Sequence, residues 1–135
     1  MATRALLLDS GTTGFVSAAT VWEIAIKVRA GKLRLTGGLR EFLSEAFAGT
    51  GFDPLPIHAV HAERTAELPL HHHDPFDRLL VAQAQVERLS LVTADRQMLR
   101  YDVDVHWAGP GSGPRRGGEG IVAEPRRRRL GLAKQ

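Results

Sequence analysis

Five residues, Ser10 to Gly14, separate the apolar run Ala5-Leu6-Leu7-Leu8, which ends in Asp9, from the next strand-like segment at Phe15 to Ala18. A short run that is apolar at every position fits a strand buried on both faces. Adjacent parallel strands need a crossover of about a dozen residues or more, so this link cannot join them in that way. It suits an antiparallel hairpin instead, with Gly11 and Gly14 relieving the turn.

Beyond that point the chain alternates helical and extended patterns. Val21 to Val28 is apolar nearly all round apart from Glu23 and Lys27, which predicts a buried helix over about Ala19 to Ala30, with Ser17 or Thr20 as N-cap and Gly31 as the stop. Leu39, Phe42, Leu43, Ala46 and Phe47 recur at helical spacing after Gly37-Gly38. Phe52 to Ile57, broken by Pro54 and Pro56, suits an edge strand. A helix over His58 to Leu68, a loop through His71-His72-His73, a helix over 75–89, a strand at Leu91-Val92-Thr93, a short helix near Arg96 to Leu99 and a strand at Val103 to Trp107 follow. Strands alternating with helices predict an α/β domain with a mostly parallel central sheet, and sites in such sheets lie outside the carboxyl ends of the strands. Asp9 and Asp95 both follow predicted strands and so belong to that edge.

Length allows one domain with a real core, and a 43% hydrophobic, 24% charged composition is that of an ordinary soluble protein. No run is long enough to span a bilayer and none has the form of a signal peptide, so a cytoplasmic location is expected. With no cysteine, any metal must be held by oxygen or imidazole. The net charge of +3 is uneven: residues 109–135 hold seven Lys or Arg against two Glu, +5, which leaves residues 1–108 at −2. The basic, Gly/Pro/Arg-rich tail offers little to bury and is expected to be disordered, a solvated appendage to a domain over 1–108. Its Arg126 to Arg129 run can touch phosphates without specificity.

The chemistry is concentrated in Asp74-Pro75-Phe76-Asp77-Arg78. Pro75 is a favoured first helical residue, so Asp74 reads as the N-cap and Asp77 as the third residue of the helix. Helix capping accounts for Asp74; Asp77 points towards the same sheet edge as Asp9. Glu23 and Lys27 can form a plain i, i+4 ion pair, and Asp95 can cap the short helix after it. Each acid has an ordinary explanation, yet several converging carboxylates repel one another unless a cation joins them. Mg²⁺ and Mn²⁺ take such oxygen ligands, and an ion of this kind activates water and stabilises a phosphoryl oxygen. Arg78 and Arg96, beside the acids, either hold a substrate phosphate or pair with the carboxylates. His71-His72-His73 reads as an exposed loop, and Trp22 and Trp107 read as core or dimer contacts rather than base-stacking platforms.

Leu6-Leu7-Leu8-Asp9-Ser10, Val16 to Lys27 with its Trp-Glu-Ile, Gly31-Lys32-Leu33, Asp74 to Ala84 and Leu91 to Arg96 resemble the PIN-domain ribonucleases of VapC-type toxins from bacterial type II toxin-antitoxin systems. The resemblance runs from the start of the chain to about Trp107. It implies a three-layer α/β/α sandwich and Mg²⁺- or Mn²⁺-dependent endoribonuclease activity on tRNA, rRNA or mRNA. Residue by residue it implies that Asp9, Glu23, Asp77 and Asp95 are the acidic, metal-holding and catalytic quartet, supported by Thr93. It further implies homodimers and a cognate antitoxin whose C-terminal segment occupies the active-site groove.

The short link departs from that family, in which one or two helices, roughly twenty or more residues, separate the first two strands. Without those N-terminal helices one face of the sheet is stripped, and reduced stability and weakened or absent activity are expected. A PIN domain that binds antitoxin or RNA without cutting is therefore the alternative. Asp9-Ser10-Gly11-Thr12-Thr13 also has the look of an aspartic-protease triplet or a phosphate loop. Those rivals lack, respectively, a second triplet with an all-β chain and the necessary length.

Overall fold

The structure is a computed structural model that describes residues 12–71, 73–93 and 95–107, together with two strands at Ala123–Glu124 and Arg127–Leu132. Ala5 to Leu8, where the sequence predicts a strand, and Asp9 to Gly11, the start of the predicted hairpin link, lie outside the described residues. In chain order the elements are β1 (Thr12–Ser17), α1 (Ala18–Arg29), α2 (Leu39–Thr50), β2 (Asp53–Leu55), α3 (Ala59–Thr65), α4 (Pro75–Glu87), β3 (Ser90–Thr93), a 3-10 helix (Arg96–Arg100), β4 (Val105–Trp107), β5 (Ala123–Glu124) and β6 (Arg127–Leu132). This is the expected α/β fold, with strands running parallel along the order β2-β1-β6-β3-β4.

The helices start and stop for local reasons. Ser17 accepts a hydrogen bond from the Ala19 amide and caps α1, and Gly31, at φ 73°, follows its end. Gly51 closes α2 in the left-handed region at φ 68°, a conformation that costs glycine least. Asp74 caps α4 by accepting from the Phe76 amide at 2.8 Å, with Pro75 as the first helical residue, as the sequence predicts. Among the described strands Asp53–Leu55 pairs with β1 alone and forms the expected edge.

The core lies where α4 covers β3. Leu80, Val81 and Ala84 from α4 meet Leu91 from β3, with Met98, Tyr101 and Val103 closing the end beyond β3. Each large apolar side chain buried in this way contributes roughly 1.5–3 kcal/mol, against about 1 kcal/mol for a cap, so packing rather than capping holds α4. His61 is fully buried and joins α3 to α4: its Nδ1 accepts from the His58 amide at 2.9 Å, so Nε2 carries the proton and donates to Glu87 Oε1 at 2.9 Å.

Within the tail, residues 127–132 pair as β6 between β1 and β3, with Thr12 opposite Arg128, Val16 opposite Leu132 and Val92 opposite Leu132. β5 pairs antiparallel with the start of β6, Glu124 opposite Arg127. A strand between two others satisfies its backbone amides and carbonyls on both sides whatever its side chains, so a composition with little to bury can still enter a sheet.

Candidate active site

The parallel pairing defines one carboxyl edge. Ser17 lies opposite Leu55, and Thr93 opposite Trp107, at matching levels of the sheet. α1 leaves this edge directly from β1, and Glu23 sits on its second turn. α4 runs back towards the amino end of β3, so its first turn, with Asp77, starts at the same edge; Asp95 follows β3 there. A contact between the rings of Trp22 and Phe76, edge-to-face with centroids 4.9 Å apart, shows that the second turn of α1 meets the first turn of α4. Each of those aromatics immediately precedes an acid in the sequence.

Glu23 and Asp77 are almost wholly buried, at 7% and 4% exposure. Lys27 approaches Glu23 at 3.8 Å, the expected i, i+4 pair, but the distance is long and the ammonium faces solvent, so it contributes little. Asp95 is half-buried; its Oδ1 accepts from the Gln97 amide at 2.9 Å, which is the ordinary cap of the 3-10 helix. Thr93, buried, accepts from the Asp95 amide at 3.0 Å and so sets the backbone from which that acid projects.

Three supporting expectations change. Among the described residues Arg78 pairs with no acid: its guanidinium donates to the carbonyls of Pro69 and Thr65 at 2.9 Å, to that of Leu68 at 3.3 Å and to the Tyr101 hydroxyl at 3.3 Å. A planar fork with five donors suits several carbonyls gathered at the end of a short helix, whose second lone pairs can accept it. Arg96 stacks on Trp107, 5.1 Å from the ring centroid, at the β4 end of the edge. Trp22 is no core residue, being 59% exposed. Of the three histidines, His71 packs edge-to-face on Tyr101 at 5.2 Å, His73 is exposed and His72 lies outside the described residues.

Sequence reasoning overlooked Gln83. It is buried on α4, accepts from the Ser17 hydroxyl and donates to the Pro56 carbonyl at 3.2 Å, tying the start of α1 and the chain after β2 to the helix that carries Asp77. The available signal was a polar amide inside the apolar stretch Leu79 to Val86.

Glu23, Asp77 and Asp95 supply the hard oxygen donors that Mg²⁺ or Mn²⁺ takes, on one edge. Among the described residues, however, no three acidic or imidazole side chains converge closely enough to hold an ion. The register shows why: β6 stands between β1 and β3, so Ser17 and Thr93 are two strand spacings apart, about 9.6 Å. The described residues fit a divalent ion in donor type and position but not in number.

A profile described as the PIN domain matches residues 1–104. The chain belongs to the PIN-domain family. PIN domains are generally metal-dependent nucleases, commonly using Mg²⁺. No curated protein and no solved structure matches the chain. In this PIN domain the matched span contains Asp9, Glu23, Asp77 and Asp95, whereas β6 lies beyond it. No helix among the described residues is long and apolar enough to cross a membrane.

Proposed function

We propose that this PIN domain is a divalent-metal-dependent endoribonuclease acting as the toxin of a type II toxin-antitoxin system in the cytoplasm, as a homodimer restrained by a cognate antitoxin. The observation that carries the reading is the pair of buried carboxylates, Glu23 and Asp77, brought to one edge by the α1–α4 contact in a chain of this family. Burial penalises the charged form of a carboxylate, and a divalent cation at this edge would offset that cost for both acids. Asp9, Glu23, Asp77 and Asp95 are the residues that would hold Mg²⁺ or Mn²⁺. Such an ion supplies an activated water and charge stabilisation for phosphodiester hydrolysis. Thr93 orients Asp95, and the Ser17–Gln83 bridge holds the two helices that carry Glu23 and Asp77.

A second reading, a PIN domain that binds antitoxin or RNA without cutting, is favoured by one observation: the described acids do not converge on one ion. Single-stranded RNA incubated with Mg²⁺ or Mn²⁺ separates the two. Cleavage by the wild type and at least a hundredfold loss in Asp77→Asn is expected, on the scale of removing a group that stabilises the transition state. Equal cleavage by both proteins would remove these residues from the reaction. No cleavage, with RNA or antitoxin still bound, would select the binding module.

A further inference from the structure

Trp22 is the most exposed aromatic side chain among the described residues' large hydrophobics, yet it is not loose, because its ring rests edge-to-face on Phe76. An exposed indole held in one orientation is a different object from a stray apolar side chain. Its position is also specific: Trp22 and Phe76 meet where the turn of α1 that carries Glu23 packs on the turn of α4 that carries Asp77, so the aromatic pair sits on the two turns that hold the buried carboxylates. In a single strand the base next to a phosphate lies within one nucleotide of it. Lys27, solvent-facing at the same helix, adds a cation beside Glu23.

We propose that Trp22, backed by Phe76, is a stacking platform for a nucleobase of single-stranded RNA adjoining the phosphodiester at the carboxylates. This rests on the nuclease reading for the identity of the ligand. A contact with a second copy of the chain fits less well. On α1 only Ile26 joins Trp22 as an exposed large hydrophobic, a patch on the order of 200 Å², against about 800 Å² per partner in a stable complex. Base stacking needs only one ring face and tolerates any base, so the platform selects unpaired strands over duplexes rather than a particular sequence.

The chain has two tryptophans, so Trp107→Phe leaves Trp22 as the sole indole reporter. Titrating that variant with a ten-nucleotide oligoadenylate in EDTA should quench its fluorescence saturably, while the same sequence in a duplex should not. In the otherwise unaltered protein Trp22→Ala should weaken oligoadenylate binding about tenfold, and Trp22→Phe should restore most of it, with unfolding still cooperative and the midpoint of Trp22→Ala lowered by no more than about 5 °C. Absence of quenching, or unaltered binding by Trp22→Ala, overturns the proposal. So does a change from dimer to monomer in sedimentation without a change in RNA binding, which would assign Trp22 to a second copy. The two readings fail separately: quenching without cleavage under Mg²⁺ would leave the platform and remove the nuclease, and cleavage with an unchanged KM in Trp22→Ala would do the reverse.

Discussion

Arg78 ties together the connection between α3 and α4, so its replacement should cost stability rather than substrate affinity. Its two bonds at 2.9 Å, to Thr65 and Pro69, are the strong ones, and those at 3.3 Å, to Leu68 and Tyr101, are weaker. A hydrogen bond with one charged partner contributes roughly 1.5–3 kcal/mol when shielded from water. The half-buried guanidinium warrants less: roughly 1 kcal/mol for each short bond and about 0.5 kcal/mol for the long ones together. Arg78→Ala should therefore lower the unfolding free energy by about 2.5 kcal/mol. Arg78→Lys keeps the charge, but one ammonium cannot reach three carbonyls from a single rotamer, so it should lose about 1.5 kcal/mol. For a domain of this size those losses lower the thermal midpoint by roughly 10 °C and 6 °C. Urea unfolding followed by circular dichroism reads the free energies directly, with an unchanged denaturant slope expected. Two variants within about 0.5 kcal/mol of wild type, or an unchanged melt with a raised KM for RNA, would refute this assignment and return Arg78 to phosphate binding.

The Ser17–Gln83 bridge can be weighed by a double-mutant cycle in the same assay. Ser17→Ala should cost roughly 2–3 kcal/mol, Gln83→Leu roughly 1–3 kcal/mol, and the pair about 1 kcal/mol less than the sum; strict additivity would show that the two side chains do not interact. A Cβ at Gly14 would overlap the Phe52 ring, so Gly14→Ala should destabilise by about 2 kcal/mol and regain part of that with Phe52→Leu; a wild-type melt for the single variant would refute the contact. Arg88 ends α4 at φ 55°, outside the range favoured by residues with a Cβ, so Arg88→Gly should raise the unfolding free energy by roughly 0.5–1 kcal/mol, and a loss would contradict it.

The elements that sequence reveals best are those whose signals are local. Asp74-Pro75 announces the start of α4, Ser17 that of α1 and Gly38 that of α2, because caps and turn residues act within a few positions. Asp77 and Glu23 were legible as candidates because a charged residue within an apolar helical pattern has few reasons to be there. Arg78 was misread because its partners, the carbonyls of Thr65, Leu68 and Pro69, exist as a cluster only once α3 has ended beside α4. Trp22 was read as a core or dimer contact, and the core half of that reading failed for a related reason: an apolar context says that a helix has a buried face but not which of its apolar residues point into it. β6 was hidden most deeply, since basic composition reports on side chains and strand pairing is a backbone matter.

Within a nascent chain, β6 also has a consequence for assembly. Among the described strands β1 and β3 share no ladder with each other and β6 joins the two flanks, so Thr12 waits for Arg128 as its partner on that side. Until the ribosome has released residue 132, the facing edges of both flanks present unpaired amides and carbonyls to other chains, an aggregation hazard during synthesis. Closing so long a loop also places the completion of the sheet among the slower steps of folding. A chaperone or an early ligand that covers those two edges would shield the chain until β6 is available.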